Sequence, residues 1–480
     1  MNNALEILNK KFGHDNFRGE QENIISNLVN NKQNCLVLMP TGGGKSICYQ
    51  IPALLFDGGT IVISPLIALM QDQVDALKSK NISGEFINST VNPSQREKRL
   101  DDFVNGKTKL LYVTPERFRK YEFVEKIKNA NISLLAIDEA HCISEWGHDF
   151  RPDYSRISEF RSILGSPTTI ALTATATPNV QKDIISKLGF NKNEIVIYHQ
   201  GIQRPNLRLE AVDVISNEEI LSQILNVIEE YKGPGIIYFS LIKKLDEFSR
   251  LLDTKKVKHS TYHGKLDSQK RKQIQRNFLS GNEKIILATN AFGMGIDKPD
   301  IRFVIHAELP SSIESYYQEI GRAGRDRKDS LCKLLYNQND LHTQMEFIKW
   351  ANPDADYYDR IFTLIREDQK KVNSLGVEYL REIMSDRDKH DFRVETVLAM
   401  LDRYGVTEGS IESGDLKLIT DLPDQLGDEE RLKLKLLDDN KKLLSVVNYF
   451  KTFDCRRIYI SEYFGFYDQA PCKNCDTCKS

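Results

Sequence analysis

No stretch of this 480-residue chain reaches the roughly 18 uninterrupted apolar residues of a membrane-spanning helix, and its opening MNNALEILNKKFG has no basic stretch leading into an apolar run. On this reading the protein is expected to be cytoplasmic and to make no membrane contact. An excess of charge of one sign is missing as well. With a formal net charge of −2 there is no whole-molecule field to attract a polyanion, so any nucleic-acid path must be a local patch. Internal repeats of solenoid period and low-complexity tracts are absent. Cysteine is sparse through the body of the chain: Cys35, Cys48, Cys142 and Cys332 each lie alone in an apolar or motif stretch and read as small core residues. The other four of the eight cysteines cluster near the C-terminal end.

What is present is the composition of a globular protein, with 40% hydrophobic and 28% charged residues. The length exceeds one compact core, so three or four domains with clefts between them are expected. From 34 to 200, short apolar runs alternate with helical patterns: CLVLM (35–39), TIVISP (60–65), KLLYVTP (109–115), SLLAIDEAH (133–141) and TTIALTAT (168–175). Runs of this kind suit strands buried on both faces of a helix-covered parallel sheet. The rhythm restarts with GIIYFS (235–240), VKHSTYHG (257–264), KIILATNA (284–291) and RFVIHAELP (302–310), with helical segments between, such as Ser268 to Leu279. Two α/β domains in tandem, 1–205 and 206–345, are the simplest account.

Beyond them, 352–430 reads as helices (Tyr357 to Val372, Val377 to Met384, Val394 to Tyr404), then a Gly-rich tip between two β-type runs within Gly405 to Ile419. That order is either a winged helix or an irregular helical insertion. Residues 431–480 form a last module ending in the cysteine cluster.

Met39-Pro40-Thr41-Gly42-Gly43-Gly44-Lys45-Ser46 follows an apolar strand and precedes a helical stretch, the setting of a phosphate-binding loop. The glycines let backbone N–H groups converge on phosphate oxygens, Lys45 would reach the β and γ phosphates of ATP, and the Ser46 hydroxyl would ligate Mg²⁺. A Gly-rich turn with a surface lysine is the alternative. Asp138-Glu139-Ala140-His141 ends another apolar strand, which places a carboxylate where a second Mg²⁺ ligand belongs. Asp138 is assigned to the metal and Glu139 to polarising the attacking water.

Cys455, Cys472, Cys475 and Cys478 follow the pattern C-x₁₆-C-x₂-C-x₂-C, which suits tetrahedral Zn²⁺. Disulfides and an iron–sulfur cluster are the alternatives.

These strings resemble, over nearly the whole chain, the RecQ family of superfamily 2 DNA helicases. TGGGKS and DEAH are similar to motifs I and II. FGHDNFRGEQ (12–21) is similar to the RecQ-type motif 0, which implies that Gln21 and Arg18 contact the adenine. The chain departs from that motif at His14, where a Tyr is common, and at Gly19-Glu20, where Pro-Gly is. It departs again at YHGKL (262–266), where YHAGL is usual.

Ser315 to Asp326, SYYQEIGRAGRD, resembles motif VI and implies an arginine finger, with Arg325 the first choice and Arg322 the second. Thr173-Ala174-Thr175 resembles motif III. ATNAFGMGIDKP (288–299) resembles motif V, with Gly295 and Asp297 expected at the nucleotide. Ser64-Pro65-Leu66 and Thr114-Pro115-Glu116 resemble first-domain DNA motifs, which hold phosphates without reading sequence. HCISEWGHDFRP (141–152) is similar to the aromatic-rich loop of RecQ enzymes. There Trp146 and Phe150 would stack bases and Arg151 would meet a phosphate.

CRR…YFG…CKNCDTC matches the RecQ zinc subdomain, whereas 352–430 is extra relative to the family. The phosphate contacts that segment could offer, Arg393, Arg403 and Lys417, are opposed by the acidic residues around them. The resemblance implies a 3′-to-5′ DNA helicase of recombination and repair, acting as a monomer on single-stranded and tailed or forked duplex DNA. It names a single-stranded-DNA-binding protein as a candidate partner. An RNA helicase or RNA-remodelling ATPase, and a DNA-binding module with a degenerate ATPase, are the competing classes.

Overall fold

The computed structural model describes residues 2–40, 42–65, 67–147, 150–199, 201, 203–293, 296–384 and 391–479. The first sheet contains β1 (Asn34–Leu38), β2 (Gly59–Ile63), β3 (Gly84–Ile87), β4 (Leu110–Val113), β5 (Ile132–Ile137), β6 (Thr168–Thr173) and β7 (Ile195–His199). Its strands are all parallel, in the order β3-β4-β2-β5-β6-β1-β7. Successive residues of a strand serve different cores. Leu36, Leu38, Ile61 and Ile63 pack on one face, while Cys35, Val37 and Val62 pack on the other. Burial on both faces is why these strands read as unbroken apolar runs, each large side chain contributing roughly 1.5–3 kcal/mol. The four isolated cysteines are indeed buried.

The second sheet contains β8 (Leu207–Asp213), β9 (Gly235–Tyr238), β10 (Ser260–Tyr262), β11 (Ile285–Ala288), β12 (Phe303–His306) and β13 (Ser330–Tyr336). It too is wholly parallel, in the order β10-β11-β9-β12-β13-β8.

The helical region that follows has its own core, built by Tyr357, Ile361, Val372, Val394, Val397, Leu401 and Leu416. Its helices are Ala355–Glu367, Gln369–Leu375, Val377–Ile383 and Arg393–Arg403. They are followed by an antiparallel pair, β14 (Thr407–Glu408) and β15 (Lys417–Leu418). The single helix expected from Tyr357 to Val372 is therefore two. It breaks at Asp368, which leaves helical geometry at φ −118° and accepts a hydrogen bond from the Tyr379 hydroxyl at 2.9 Å.

The long helix Glu429–Lys451 and the cysteine segment join the core of the second sheet. Leu443, Val446, Tyr449, Ile460 and Phe464 pack with Tyr316, Tyr317 and Leu334, and the Tyr316 and Tyr449 hydroxyls lie 3.2 Å apart. Segments 206–345 and 431–480, distinct in sequence, thus share one core. Among the described residues no helix is long and apolar enough to cross a membrane.

Candidate nucleotide site and nucleic-acid face

In the first sheet β5, β6 and β1 are neighbours, so their carboxyl ends bring the DEAH string, Thr173 and the phosphate loop to one edge. This is where parallel α/β sheets bind ligands. The loop joins β1 to helix Ile47–Leu55, which Ser46 precedes. Gly42 and Gly44 adopt φ +80° and +83°, a left-handed backbone that side chains rarely tolerate. Thr41 lies outside the described residues.

Gln21 is buried, and both ends of its amide are engaged. Its Oε1 accepts from the Arg18 backbone N–H at 2.9 Å, while its Nε2 donates to the carbonyls of Gly43 and Gly44 at 3.2 Å. The segment expected to recognise adenine is therefore also the brace of the phosphate loop.

Asp138 is half-buried at the tip of β5. Burial first, and then the Glu139 carboxylate, push its carboxyl up to about 7, while Lys45 and the Ser64 hydroxyl pull it down. A carboxylate at a strand tip beside Lys45, together with the hydroxyl of the serine that precedes the loop's helix, is a donor set suited to a hard, oxygen-seeking cation. Ser46 and Asp138 are the residues that would hold Mg²⁺. Such an ion would offset charge on the β and γ phosphates. Glu139 occupies the left-handed region at φ 48°, a conformation that costs an L-residue about 1–3 kcal/mol and is concentrated at functional sites. Its Oε2 lies 3.3 Å from His141 Nδ1, which is 2.9 Å from the Thr173 hydroxyl. His141 thereby joins the DEAH string to the Thr173-Ala174-Thr175 stretch, a link that neither string announces alone.

The two candidate fingers occupy different places. Arg322 is buried inside the second domain, where its guanidinium donates to the Gly293 carbonyl. Gly293 has φ +146°, and a Cβ there would stand 2.4 Å from the Arg322 Cζ. Arg325 instead reaches the first domain: a Cβ on Gly42 would stand 3.2 Å from its Cγ. Helix Ile313–Ile320 brings it there, its start fixed by the Ser312 hydroxyl accepting from the Ser315 N–H. Arg325 Nη1 donates to the Ile296 carbonyl at 2.8 Å and to Asp297 at 2.7 Å. Asp297, expected at the nucleotide, is exposed and acts here as the anchor of Arg325. Gly295 is outside the described residues.

On the face proposed for DNA, Arg151 Nη1 donates to the Pro65 carbonyl at 3.0 Å, tying the aromatic loop to the Ser64-Pro65 turn. Ser64 is itself buried, with its hydroxyl near Asp138. Leu66 lies outside the described residues. Thr114 is buried and precedes the turn Pro115–Arg119. Trp146, expected to stack bases, is half-buried against the first-domain core. It lines both a cavity of about 400 Å³ and an open groove of about 900 Å³. Phe150 is also half-buried, with the Lys187 ammonium 5.6 Å from its ring centre. His148 and Asp149, within the same loop, lie outside the described residues.

The sulfurs of Cys455, Cys472, Cys475 and Cys478 all lie within 4.8 Å of one another. Cys475 and Cys455 are 3.9 Å apart, against the roughly 3.8 Å expected between tetrahedral ligands at a Zn–S distance of about 2.3 Å. Burial opposes ionisation of Cys475, but the Thr477 hydroxyl and backbone donors hold its thiol below the usual range. The four cysteines therefore fit Zn²⁺, which would crosslink this loop when bound. Arg456 pairs with Asp476 at 3.0 Å, and Asp476 accepts from the Ala211 N–H of edge strand β8 at 2.8 Å. The cysteine segment thus covers an edge that would otherwise offer an unpaired donor.

Three family descriptions match in sequence order: DEAD/DEAH box helicase over residues 18–184, helicase conserved C-terminal domain over 216–327, and RecQ zinc-binding over 414–479. The chain is 44% identical over 350 residues to the ATP-dependent DNA helicase RecQ of Bacillus subtilis, covering 73% of this chain and 58% of that protein. It is 37% identical over 385 residues to the probable ATP-dependent DNA helicase RecS of the same organism, covering 79% and 77%. It is 40% identical over 397 residues to the putative ATP-dependent RNA helicase R290 of Acanthamoeba polyphaga mimivirus, covering 81% and 70%. The chain thus spans just over half the length of the Bacillus RecQ that it matches. With two parallel-sheet domains, a DEAH box at a strand tip and a zinc-binding segment in RecQ order, this chain belongs to the RecQ family of ATP-dependent DNA helicases.

Proposed function

We propose that the chain is a 3′-to-5′ DNA helicase that couples ATP hydrolysis to movement along single-stranded DNA and to duplex separation in recombination and repair. The observation that carries this reading is Arg325, a second-domain arginine whose aliphatic stem lies against Gly42 of the first-domain phosphate loop. A positive group presented to the γ phosphate from a second domain makes hydrolysis depend on domain closure. In this mechanism Lys45 and the loop N–H groups hold the phosphates, Glu139 orients the attacking water, and Arg325 stabilises charge in the transition state. Arg18 and Gln21 meet the adenine. Trp146, Phe150 and Arg151 hold the unpaired strand, with Ser64, Pro65 and Thr114 along its path. Mg²⁺ is the metal of the nucleotide site. A monomer suffices for this cycle, and tailed or forked duplexes are its substrates in the cytoplasm. A single-stranded-DNA-binding protein is a natural partner, since it covers the released strand.

RNA is the competing substrate, favoured by the name of the viral relative, a putative RNA helicase. The test compares ATP hydrolysis stimulated by single-stranded DNA and by RNA of the same sequence, in wild type and in Trp146→Ala. DNA should stimulate far more than RNA. Loss of the indole should reduce DNA stimulation about tenfold, since a stacked base contributes roughly 1–3 kcal/mol. Equal stimulation by RNA, or an undiminished response in folded Trp146→Ala, contradicts the reading.

The element order from Ala355 to Leu418 also supports taking 352–430 as a winged helix. Arg393 is engaged with Asp391 at 2.7 Å, and Thr396, Met400 and Arg403 of helix Arg393–Arg403 line the cavity shared with Trp146. That helix faces the motor, so duplex contacts from this module would come from the wing that carries Lys417.

A further inference from the structure

Glu145 lies in the aromatic loop, beside Trp146 and two residues beyond the turn Ala140–Ile143. Its carboxylate is shared between two distant parts of the chain. Oε1 accepts from Lys187 of the first domain at 2.8 Å, and Oε2 accepts from Arg431 Nε at 2.8 Å, with Arg431 Nη2 alongside. The Glu145 and Arg431 side chains are 20% and 29% exposed, so water screens the pair less than an open surface pair. Burial opposes the charge on Glu145, yet Arg431 and Lys187 hold its carboxyl below the usual range.

Arg431 lies in the first turn of helix Glu429–Lys451, and Leu443, Val446, Val447 and Tyr449 of that helix are built into the second-domain core. Glu145 therefore belongs to the first domain, while Arg431 sits on a rod fixed to the second. A separate contact anchors the intervening module. Arg119, paired with Asp153, donates to the carbonyls of Asp402 at 3.2 Å and of Arg403, at the C-terminal end of helix Arg393–Arg403. Helix carbonyls there lack internal partners and favour a cation. Between the two contacts lies the 400 Å³ cavity bounded by Trp146, Phe150, Tyr404 and Arg431. Trp146 and the module line opposite parts of this cavity, and the ion pair ties loop and helix directly.

Resting on the functional reading above, we infer that Arg431 is a positioning residue: acting through Glu145, it transmits movement of the second domain to the loop that carries Trp146. When the domains close, the long helix moves with the second sheet and draws on the loop at Glu145. That displacement reaches Trp146 on one side and the segment leading back to Glu139 on the other. Arg431 touches neither nucleotide nor strand in this account, and its effect is confined to coupling.

The experiment measures three quantities in the full chain: the basal ATPase rate, the maximal rate with single-stranded DNA, and the DNA concentration giving half-maximal stimulation. Arg431→Gln should keep the basal rate and the half-maximal concentration and lower the maximal stimulated rate about fivefold, within the range by which coupling residues act. Arg431→Lys should recover part of the loss. The double variant Arg431→Gln/Glu145→Gln should be no worse than the poorer single variant, because both changes break the same Glu145–Arg431 pair. Wild-type stimulation in Arg431→Gln, or losses that multiply in the double variant, overturns the inference. So does a parallel fall of basal rate, stimulated rate and melting temperature, which marks the pair as a structural brace. A wild type that DNA does not stimulate would instead sink the functional reading itself, so the two failures are distinguishable.

Discussion

Replacing Arg325 with alanine is expected to reduce the turnover number for ATP by about 10³-fold or more while ATP affinity stays within a few-fold. The reason is positional. Arg325 rests on Asp297 and the Ile296 carbonyl, with its aliphatic stem against Gly42, so it is presented to the phosphate loop without being part of it. A group in this position contributes most when charge spreads over the γ oxygens, which appears as lost turnover rather than lost binding. Equilibrium binding of a fluorescent ATP analogue and steady-state hydrolysis separate the two effects. Lost affinity with normal turnover at saturation would assign Arg325 to ground-state binding. Arg322→Ala should behave differently. Its guanidinium is buried on the Gly293 carbonyl, so its removal leaves a void and an unpaired backbone group inside the second domain, and melting temperature should fall together with activity.

Lys45→Ala is the second large effect. DNA-stimulated hydrolysis should fall by at least about 10²-fold, with fold and DNA binding retained. Lys45 is half-buried at the phosphate loop, outside any hydrophobic core, and its charge acts on the neighbouring Asp138. Its loss removes one positive charge from the phosphate site and no apolar packing. Thermal melting and DNA binding by fluorescence anisotropy serve as the controls. Turnover near wild type would refute the assignment of the nucleotide site.

The parts of this fold that were legible in the sequence are those in which one strand serves two cores. β1, β5 and β6 announce themselves as apolar runs, and the nucleotide residues lie at their ends, so fold and phosphate site were readable together. Strands β3, β7, β8 and β13 escaped the apolar-run criterion. β3, β7 and β8 are sheet edges. β8, LRLEAVD, carries Arg208 and Glu210 on a face that is only partly buried. In β13, Lys333 interrupts the apolar run because it pairs with Glu210 of β8 at 3.1 Å.

Contacts between sequence-distant segments left no local trace. The common core of 206–345 and 431–480, the Arg119 contact with the Asp402 and Arg403 carbonyls, and the Glu145–Arg431 pair each depend on the folded chain. Among single residues, His141 was visible as the last letter of DEAH, yet its role as a bridge to Thr173 needed the neighbouring strand tips. Ser64 was nominated for DNA on its motif, which gave no sign of its burial near Asp138.

The measurement that tests the central claim most directly is strand displacement on partial duplexes that differ only in the polarity of a single-stranded tail, with ATP and Mg²⁺. The account predicts that 3′-tailed duplexes are separated, that 5′-tailed and blunt duplexes are not, and that a non-hydrolysable ATP analogue abolishes separation. Separation of 5′-tailed duplexes alone, or failure on both tails by protein that hydrolyses ATP when DNA is added, would contradict it.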